Sequence, residues 1–199
     1  MRTGVLGGTF DPVHRGHILV AEAARDALSL SEVLVVPTGQ PMLKANKRIT
    51  AVEHRLAMLR LAVAGIPWIK VSNMEIERHG PSYTVDTIAV LRKQRGAGDD
   101  IYFIIGWDGL EHFIEWREPE RVISMCFMAV VPRPGFTRPD ICTLENRLPG
   151  ITDRVVFLDK PLTDINSTAI REKAAKGESI DNLVPGPVAD YIKEHKLYG

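Results

Sequence analysis

The amino-acid sequence predicts an α/β protein built on a doubly wound parallel sheet, with helices on both faces of the sheet and further helices at the C-terminus. Short segments rich in Val and Ile alternate along the chain with longer segments of helical periodicity. Most of the short segments are apolar almost throughout, which is typical of strands covered on both faces. Strands that alternate with helices pair in parallel through right-handed crossovers. Ligands are therefore expected beyond the carboxyl ends of the strands, at the switch point of the sheet.

The periodicity assigns each element in turn. Strands are predicted at residues 3–6, 33–36, 69–72, 101–105, 127–131 and 155–158. Helices are predicted at residues 17–27, 51–64, 85–94, 119–124, 168–175 and 187–194. Thr50 and Glu53 have the spacing of a capping box at the start of the second helix, whose apolar residues are Leu56, Leu59 and Val63.

No internal repeat or domain boundary interrupts this pattern, so residues 1–199 are predicted to form a single domain. The loops at residues 37–48 and 132–149 are rich in Pro, Gly and polar residues. Because long loops in a compact domain often carry function, these two are predicted to be active-site loops.

Composition and charge restrict the partners of the chain. Its 25 basic and 25 acidic residues balance, so no overall field favours long nucleic acids or anionic membranes, and phosphate recognition must be local. No apolar run approaches the roughly 20 residues that span a bilayer. The N-terminus leads almost directly into a strand without an apolar signal region, which predicts a cytoplasmic protein. A homo-oligomer is compatible with the sequence, which locates no interface.

The two cysteines, Cys126 and Cys142, are too few for a disulfide scaffold and too far apart for a CxxC motif. A reducing cytosol fits this usage. Cys126 lies in an apolar run, which predicts a buried structural thiol.

The loop after the first strand carries the strongest functional signal. Gly7 and Gly8 allow a tight turn and a close approach of the backbone to a ligand. The next helix begins near His14 to His17, so its unpaired N–H groups point into the mouth of the loop and favour an anion. His14 and His17 share a helix face, so both can reach one phosphate chain. A plain turn and a zinc site are the alternatives, although no third zinc ligand is evident nearby.

Residues 7–17 resemble the GGTFDPxHxGH signature of the HxGH nucleotidyltransferase superfamily. The resemblance implies a Rossmann-like sheet of the kind that the periodicity predicts. It also implies that His14 and His17 donate hydrogen bonds to the phosphates of ATP as charge develops in the transition state. The backbone of the same loop is expected to bind ATP through Gly7, Gly8, Thr9 and Phe10.

A second phosphate site is predicted after the last strand. Ser167 or Thr168 can cap the helix that follows, and Arg171 lies three to four residues further along the same face. A capped helix with a surface arginine is the alternative interpretation. The segment is similar to the ISSTxIR motif of the superfamily, with Asn166 in place of the first serine. The similarity implies that Asn166, Ser167, Thr168 and Arg171 bind ATP and that Arg171, with His14 and His17, is catalytic.

Further segments resemble the bacterial nicotinate mononucleotide adenylyltransferase family, and with the two phosphate motifs they cover nearly the whole chain. Residues 80–87 are similar to GPSYTxDT, residues 106–108 to GxD, residues 133–135 to the RPG loop, and residues 183–198 to the family C-terminus. The resemblance implies that Gly106 and Asp108 contact ATP. It assigns Thr84 and Trp116 to the pyridine ring and Lys44 and Arg133 to the acceptor phosphate. Core packing for Trp116 and solvent exposure for Lys44 and Arg133 are the alternatives.

One position departs from the family pattern, which has His-Lys after the second strand where this chain has Leu43 and Lys44. The expected reaction transfers AMP from ATP to nicotinate mononucleotide and releases pyrophosphate. Mg²⁺ is expected to arrive on the ATP phosphates, because no dedicated carboxylate cage is visible. Another acceptor, such as nicotinamide mononucleotide or phosphopantetheine, and a non-catalytic nucleotide-binding protein are the alternatives.

Overall fold

The computed structural model describes residues 1–40, 49–96 and 98–199. Within these ranges six strands form one parallel sheet in the order β3-β2-β1-β4-β5-β6. The chain winds outward from β1 to β3, returns to the centre at β4 and winds outward again to β6. This is a doubly wound, Rossmann-like sheet with its switch point between β1 and β4, and it confirms the predicted fold class.

All six predicted strands are present, with ends that differ from the prediction by at most two residues. The strands are Arg2–Gly8 (β1), Glu32–Pro37 (β2), Ile69–Val71 (β3), Asp100–Gly106 (β4), Phe127–Val131 (β5) and Val155–Phe157 (β6). The α-helices of the described residues are Arg15–Leu28 (α1), Val52–Val63 (α2), Met74–Glu77 (α3), Thr84–Arg95 (α4), Trp107–Glu111 (α5), Pro119–Met125 (α6), Ile141–Arg147 (α7), Ser167–Ala175 (α8) and Gly186–Glu194 (α9).

The strands have apolar residues on both faces because each face of the sheet is covered by helices. Alternate residues of one strand belong to different cores: Leu34 and Val36 of β2 face one way, Val33 and Val35 the other. One core receives buried residues of α1, α2, α8 and α9. The other receives those of α4, α5, α6 and α7. The C-terminal helices therefore extend the layer that α1 and α2 begin.

Two local predictions were wrong. Thr50 does not cap α2, whose N-cap residue is Ala51 and has no side-chain cap. Instead, the backbone carbonyl of Thr50 accepts a hydrogen bond from the side chain of Arg55 on α2. The loop predicted at residues 132–149 contains α7, which Asp140 caps by accepting from the Cys142 N–H at 3.0 Å. The segment is rich in Pro, Gly and polar residues, which predicted a loop.

Cys126 is buried at the end of α6, and burial raises the pKa of its thiol to about 12. This confirms the predicted buried thiol. In the ranges that the structure describes, no helix has both the length and the apolar character needed to cross a membrane.

Candidate active site

The first loop lies at the carboxyl edge of the sheet, at the switch point. β1 ends in Gly7 and Gly8 between β2 and β4. Gly8 has little room for a side chain, because a Cβ there would lie 3.1 Å from the ring of Phe10. Phe10 is buried and has a φ of 49°, in the left-handed region that costs a non-glycine residue about 1–2 kcal/mol. The backbone therefore turns sharply over the end of β1.

His14 and His17 lie side by side at the start of α1. His14 is the N-cap residue, and its imidazole stacks on that of His17 with ring centroids 3.7 Å apart. The His14 backbone N–H donates to Nδ1 of His17 at 3.2 Å, which leaves the proton of a neutral His17 on Nε2. Gly16 accommodates the pair, because a Cβ there would lie 3.0 Å from Nδ1 of His14. The two imidazoles share one side of the helix N-terminus, as their spacing predicted.

The imidazole of His14 is neutral at physiological pH. Burial, followed by the positive charge of Arg133, lowers its pKa from 6.5 to about 4. Its Nδ1 atom is buried and has no hydrogen-bond partner among the described residues. A neutral imidazole carries a single N–H donor. His14 can therefore contact an anion as a donor without itself carrying a full charge.

Helix α8 brings further polar groups onto the same loop. Ser167 Oγ donates to the carbonyl of Pro12 at 3.0 Å, and Arg171 Nη1 donates to the carbonyl of Asp11 at 2.7 Å. Nη2 of Arg171 donates to Thr168 Oγ1 at 3.3 Å. Hydroxyls and a guanidinium from the end of the chain thus converge on the loop that carries the histidines.

The cap of α8 differs from the prediction. Neither Ser167 nor Thr168 is the capping residue, because the helix begins at Ser167 and its N-cap is Asn166. The Asn166 side chain accepts from the Ala169 N–H at 2.9 Å. Asparagine caps as well as serine does, since its short side chain reaches the first free N–H groups of a helix. Asn166 therefore caps α8 in place of the family serine, and the hydroxyl of Ser167 donates to the Pro12 carbonyl instead.

Gly106 and Asp108 lie where β4 ends and α5 begins. A Cβ on Gly106 would collide with Oδ1 of Asp108, so any larger residue there would displace the carboxylate from its present position. Oδ2 of Asp108 forms an ion pair at 3.1 Å with Nη1 of Arg133, which lies just beyond β5. The structure therefore places Arg133 beside Asp108 and close enough to His14 to lower its pKa. The assignment of Arg133 to the acceptor phosphate stays a prediction.

A cavity of about 380 Å³ opens beside these residues, beyond the carboxyl ends of β4, β5 and β6. Its lining is mostly apolar and includes Trp107, Pro132, Phe157, Leu158 and Leu162. The guanidinium of Arg138 lies 4.1 Å from the centre of the Phe157 ring at its margin. A larger groove of about 730 Å³ runs between α1 and the β6 edge, but none of the predicted site residues lines it.

Thr84 and Trp116 belong to the layer of α4, α5, α6 and α7 on one face of the sheet. Thr84 is the first residue of α4 and is half-buried. Trp116 is also half-buried, and its ring packs edge-on against Phe103 and Phe113, with centroids 5.9 and 5.2 Å apart. The Phe103 ring in turn lies 3.5 Å from the position of a Cβ on Gly7. Trp116 therefore packs against the core, and Phe103 lies against both its ring and the end of β1.

The segments of Thr84 and Trp116 also contact each other. The guanidinium of Arg117 lies 4.6 Å from the centre of the Tyr83 ring. Lys44, predicted to bind the acceptor phosphate, and its neighbour Leu43 lie outside the described residues.

Sequence reasoning gave no role to three polar residues, namely the buried Asp11 and Arg55 and the half-buried Tyr198. Asp11 accepts from the Tyr198 hydroxyl at 2.8 Å and from the Thr50 N–H at 3.2 Å. The guanidinium of Arg55 donates to backbone carbonyls, including that of Thr9 at 2.8 Å. Arg55 and Tyr198 thus hold the first loop through Thr9 and Asp11, which are part of it.

For Arg55 a signal existed in the sequence. It stands with Met58, Leu59 and Ala62 at the i, i+3, i+4 and i+7 spacing of a buried helix face. A charged residue on such a face indicates a buried polar contact. Asp11 and Tyr198 have no such periodic signal, but both lie in segments that resemble family motifs, residues 7–17 and 183–198, which could have pointed to them.

A doubly wound sheet whose first loop presents two histidines, with a guanidinium brought in by a later helix, defines a nucleotide-binding α/β protein of the nucleotidyltransferase class. The sequence model of the family described as Cytidylyltransferase-like matches residues 5–173. A probable nicotinate-nucleotide adenylyltransferase of Dehalococcoides mccartyi (strain CBDB1) is 42% identical over 198 residues, which cover 100% of this chain and 97% of the relative. One of Thermomicrobium roseum is 41% identical, over 99% of this chain and 91% of the relative.

The chain belongs to the cytidylyltransferase-like family and, within it, to the nicotinate-nucleotide adenylyltransferases. The resemblance drawn from the motifs is confirmed. The fold is shared with Plasmodium falciparum nicotinic acid mononucleotide adenylyltransferase complexed with NaAD. That structure has a TM-score of 0.79 and 21% identity, and the match covers 99% of this chain and 97% of the other.

Proposed function

We propose that this protein transfers AMP from Mg-ATP to nicotinate mononucleotide, giving nicotinate adenine dinucleotide and pyrophosphate. The observation that carries the proposal is the convergence of His14, His17 and Arg171 on the loop at the switch point. The names of the curated relatives support the choice of reaction, and the complex of the Plasmodium falciparum protein with NaAD, the expected product, supports the choice of acceptor.

The reaction needs alignment and charge stabilisation more than acid–base chemistry. An oxygen of the acceptor's 5′-phosphate attacks the α-phosphorus of ATP, the new P–O bond forms, and the bond from the α-phosphorus to the bridging oxygen breaks. The bond's electron pair leaves with pyrophosphate. A phosphate dianion is already a nucleophile, so no protein base is required, and rate enhancement comes from positioning and from donors aimed at developing charge.

His17 and Arg171 are the donors assigned to the triphosphate. His17 has a fixed tautomer that keeps a proton on Nε2, because its Nδ1 accepts from the His14 N–H. Arg171 is anchored through Nη1 and Nη2 to Asp11 and Thr168, which orients the rest of its planar guanidinium. Gly7 to Phe10 and the N-termini of α1 and α8 add backbone N–H groups suited to phosphate.

The adenine ring is assigned to the 380 Å³ cavity beyond β4, β5 and β6. Its apolar walls and the indole of Trp107 suit a flat heteroaromatic base. Gly106 and Asp108 flank Trp107, which lines this cavity, and are assigned to ATP with it. Arg133 pairs with Asp108 and lowers the pKa of His14, so it lies near two residues assigned to ATP. We assign it to the acceptor phosphate, which must approach the α-phosphate of ATP.

The pyridine ring is assigned to Trp116 and Thr84, and the acceptor phosphate also to Lys44. The indole of Trp116 is half-exposed and is held in place by T-shaped contacts with Phe103 and Phe113, and a flat ring of this kind suits stacking on a pyridine. Thr84 offers a hydroxyl and a helix N-terminal N–H to the ring carboxylate.

Mg²⁺ enters as part of Mg-ATP in this proposal. No group of three or more His, Cys, Asp or Glu side chains that could hold a metal occurs in the ranges 1–40, 49–96 and 98–199. A cation bound chiefly to phosphate oxygens and water matches the donors that are present. A cytoplasmic location is supported by two free thiols, of which Cys142 is exposed. The homo-oligomer stays a prediction.

The test is pyrophosphate release from Mg-ATP with nicotinate mononucleotide, with nicotinamide mononucleotide and with no acceptor. We expect fast release with the acid, slow release with the amide and none without an acceptor. Equal rates with the two mononucleotides would contradict the selectivity for the carboxylate. If neither mononucleotide gave pyrophosphate release, the proposed acceptor would be contradicted, and phosphopantetheine would then be assayed.

A further inference from the structure

Arg55 occupies a position that a charged side chain rarely has. It lies on α2, is only 2% exposed, and is the largest fully buried side chain of the described residues. Removing a guanidinium from water costs several kcal/mol unless its N–H groups are satisfied. Burial lowers the pKa of Arg55, and the nearby charge of Asp11 opposes this shift. A cation kept in such a place must make contacts that an apolar residue could not.

The contacts of Arg55 join three separate segments. Nη1 donates to the carbonyls of Thr9 at 2.8 Å and Thr38 at 2.9 Å, and Nε donates to the carbonyl of Thr50 at 3.0 Å. Thr9 lies in the first loop, Thr38 just after β2, and Thr50 just before α2. One planar group therefore fixes the relative positions of these three segments.

Each end of the segment 38–50 also makes a hydrogen bond directly to the first loop. The Thr38 N–H donates to the Gly8 carbonyl at 2.9 Å. The Thr50 N–H donates to the Asp11 carboxylate at 3.2 Å. The carbonyls of the same two threonines accept from Arg55, so each end is held through both its N–H and its C=O.

We propose that Arg55 is a positioning residue of the transfer reaction, which holds both ends of the segment 38–50 against the ATP loop. The proposal rests on the proposed function, in which the first loop binds the triphosphate of ATP. Arg55 acts through its contacts: it fixes the carbonyl of Thr9 relative to the end of β2 and the start of α2.

The experiment measures pyrophosphate release as a function of both substrate concentrations in Arg55→Met and Arg55→Lys. Methionine has a stem of similar length but no donor, so all three carbonyls lose their partner. Lysine keeps the charge but cannot hold three carbonyls in one plane. We expect the KM for ATP to rise about tenfold in Arg55→Met and by a smaller factor in Arg55→Lys, because Thr9 in the first loop loses its anchor.

Arg60→Met is the matched control, since Arg60 lies on the same helix and is exposed. A purely structural role for Arg55 would lower the folded fraction and so the maximal rate, but it would leave KM unchanged, because KM does not depend on how much enzyme is folded. An unchanged KM in Arg55→Lys therefore overturns the proposal even where Arg55→Met fails to fold. If the wild type released no pyrophosphate with nicotinate mononucleotide, the proposed function would be overturned, and the role of Arg55 with it.

Discussion

At the scale of single residues, His14 and His17 have different tasks although their sequence positions look equivalent. His14 is buried and neutral, and it donates its backbone N–H to His17. His17 is half-buried and keeps one tautomer as a result. The motif identified the pair, but burial and the fixed tautomer depend on Gly16 and on the packing around the loop, which no short pattern records.

We expect His17→Ala to slow turnover by about tenfold or more while ATP still binds, because a donor aimed at developing charge acts mainly in the transition state. Pyrophosphate release gives the rate, and calorimetric titration of ATP gives the affinity. His112→Ala is the control, since His112 is exposed and lies outside the site. A His17→Ala enzyme with near wild-type turnover would remove His17 from the mechanism.

His14 makes the stability of the protein depend on pH. Its pKa is about 4 in the folded state and about 6.5 in the unfolded chain. Between these values the unfolded chain binds a proton that the folded protein does not, so stability is complete above about pH 6.5 and is lost as the pH falls towards 4. The shift corresponds to a loss of up to about 3 kcal/mol.

Urea unfolding at several pH values checks this expectation. The free energy of unfolding should fall less steeply below pH 6.5 in His14→Gln than in the wild type. His112→Gln should follow the wild-type curve, because His112 is exposed. Parallel curves for the wild type and His14→Gln would show that another group causes the acid sensitivity.

At the scale of elements, the six strands and the longer helices were predictable because their apolar periods are long enough to read. Of the short helices α6 was predicted and α3, α5 and α7 were missed: α3 and α5 have only four and five residues, and α7 lies in a segment rich in Pro, Gly and polar residues that predicted a loop. The cap of α8 was assigned to the wrong residue. Three consecutive residues, Asn166, Ser167 and Thr168, can all cap, and only the contact of Ser167 with Pro12 decides among them.

The cap at Asn166 yields a test by substitution. Asn166→Ala should cost about 1 kcal/mol of stability, because the Ala169 N–H loses its acceptor at the helix end. Asn166→Ser should restore most of it, since serine caps equally well. Thermal unfolding of the three proteins measures the difference. Equal stability of the alanine and serine variants would mean that the cap contributes nothing.

At the scale of the whole molecule, the two thiols differ in whether a reagent can reach them in the folded protein. Cys142 is exposed, whereas Cys126 lies in the core beneath α4 and α6. Burial raises the pKa of the Cys126 thiol to about 12, so the reactive thiolate is nearly absent in the folded protein. In the Cys142→Ser variant, a thiol reagent should therefore modify Cys126 only when the core opens.

Labelling of Cys126 in that variant should slow when ATP is added, because ATP binds the folded protein and not the unfolded chain. At ATP ten times its Kd the open population falls about tenfold, and the labelling rate falls with it where closing is faster than modification. In a control unfolded in urea, the rate at which the reagent modifies Cys126 should not change when ATP is added. If ATP left the native labelling rate unchanged, Cys126 would be reached by a local opening of the α4 and α6 layer. That opening would be independent of the nucleotide site, and the two faces of the sheet would then not unfold as one unit.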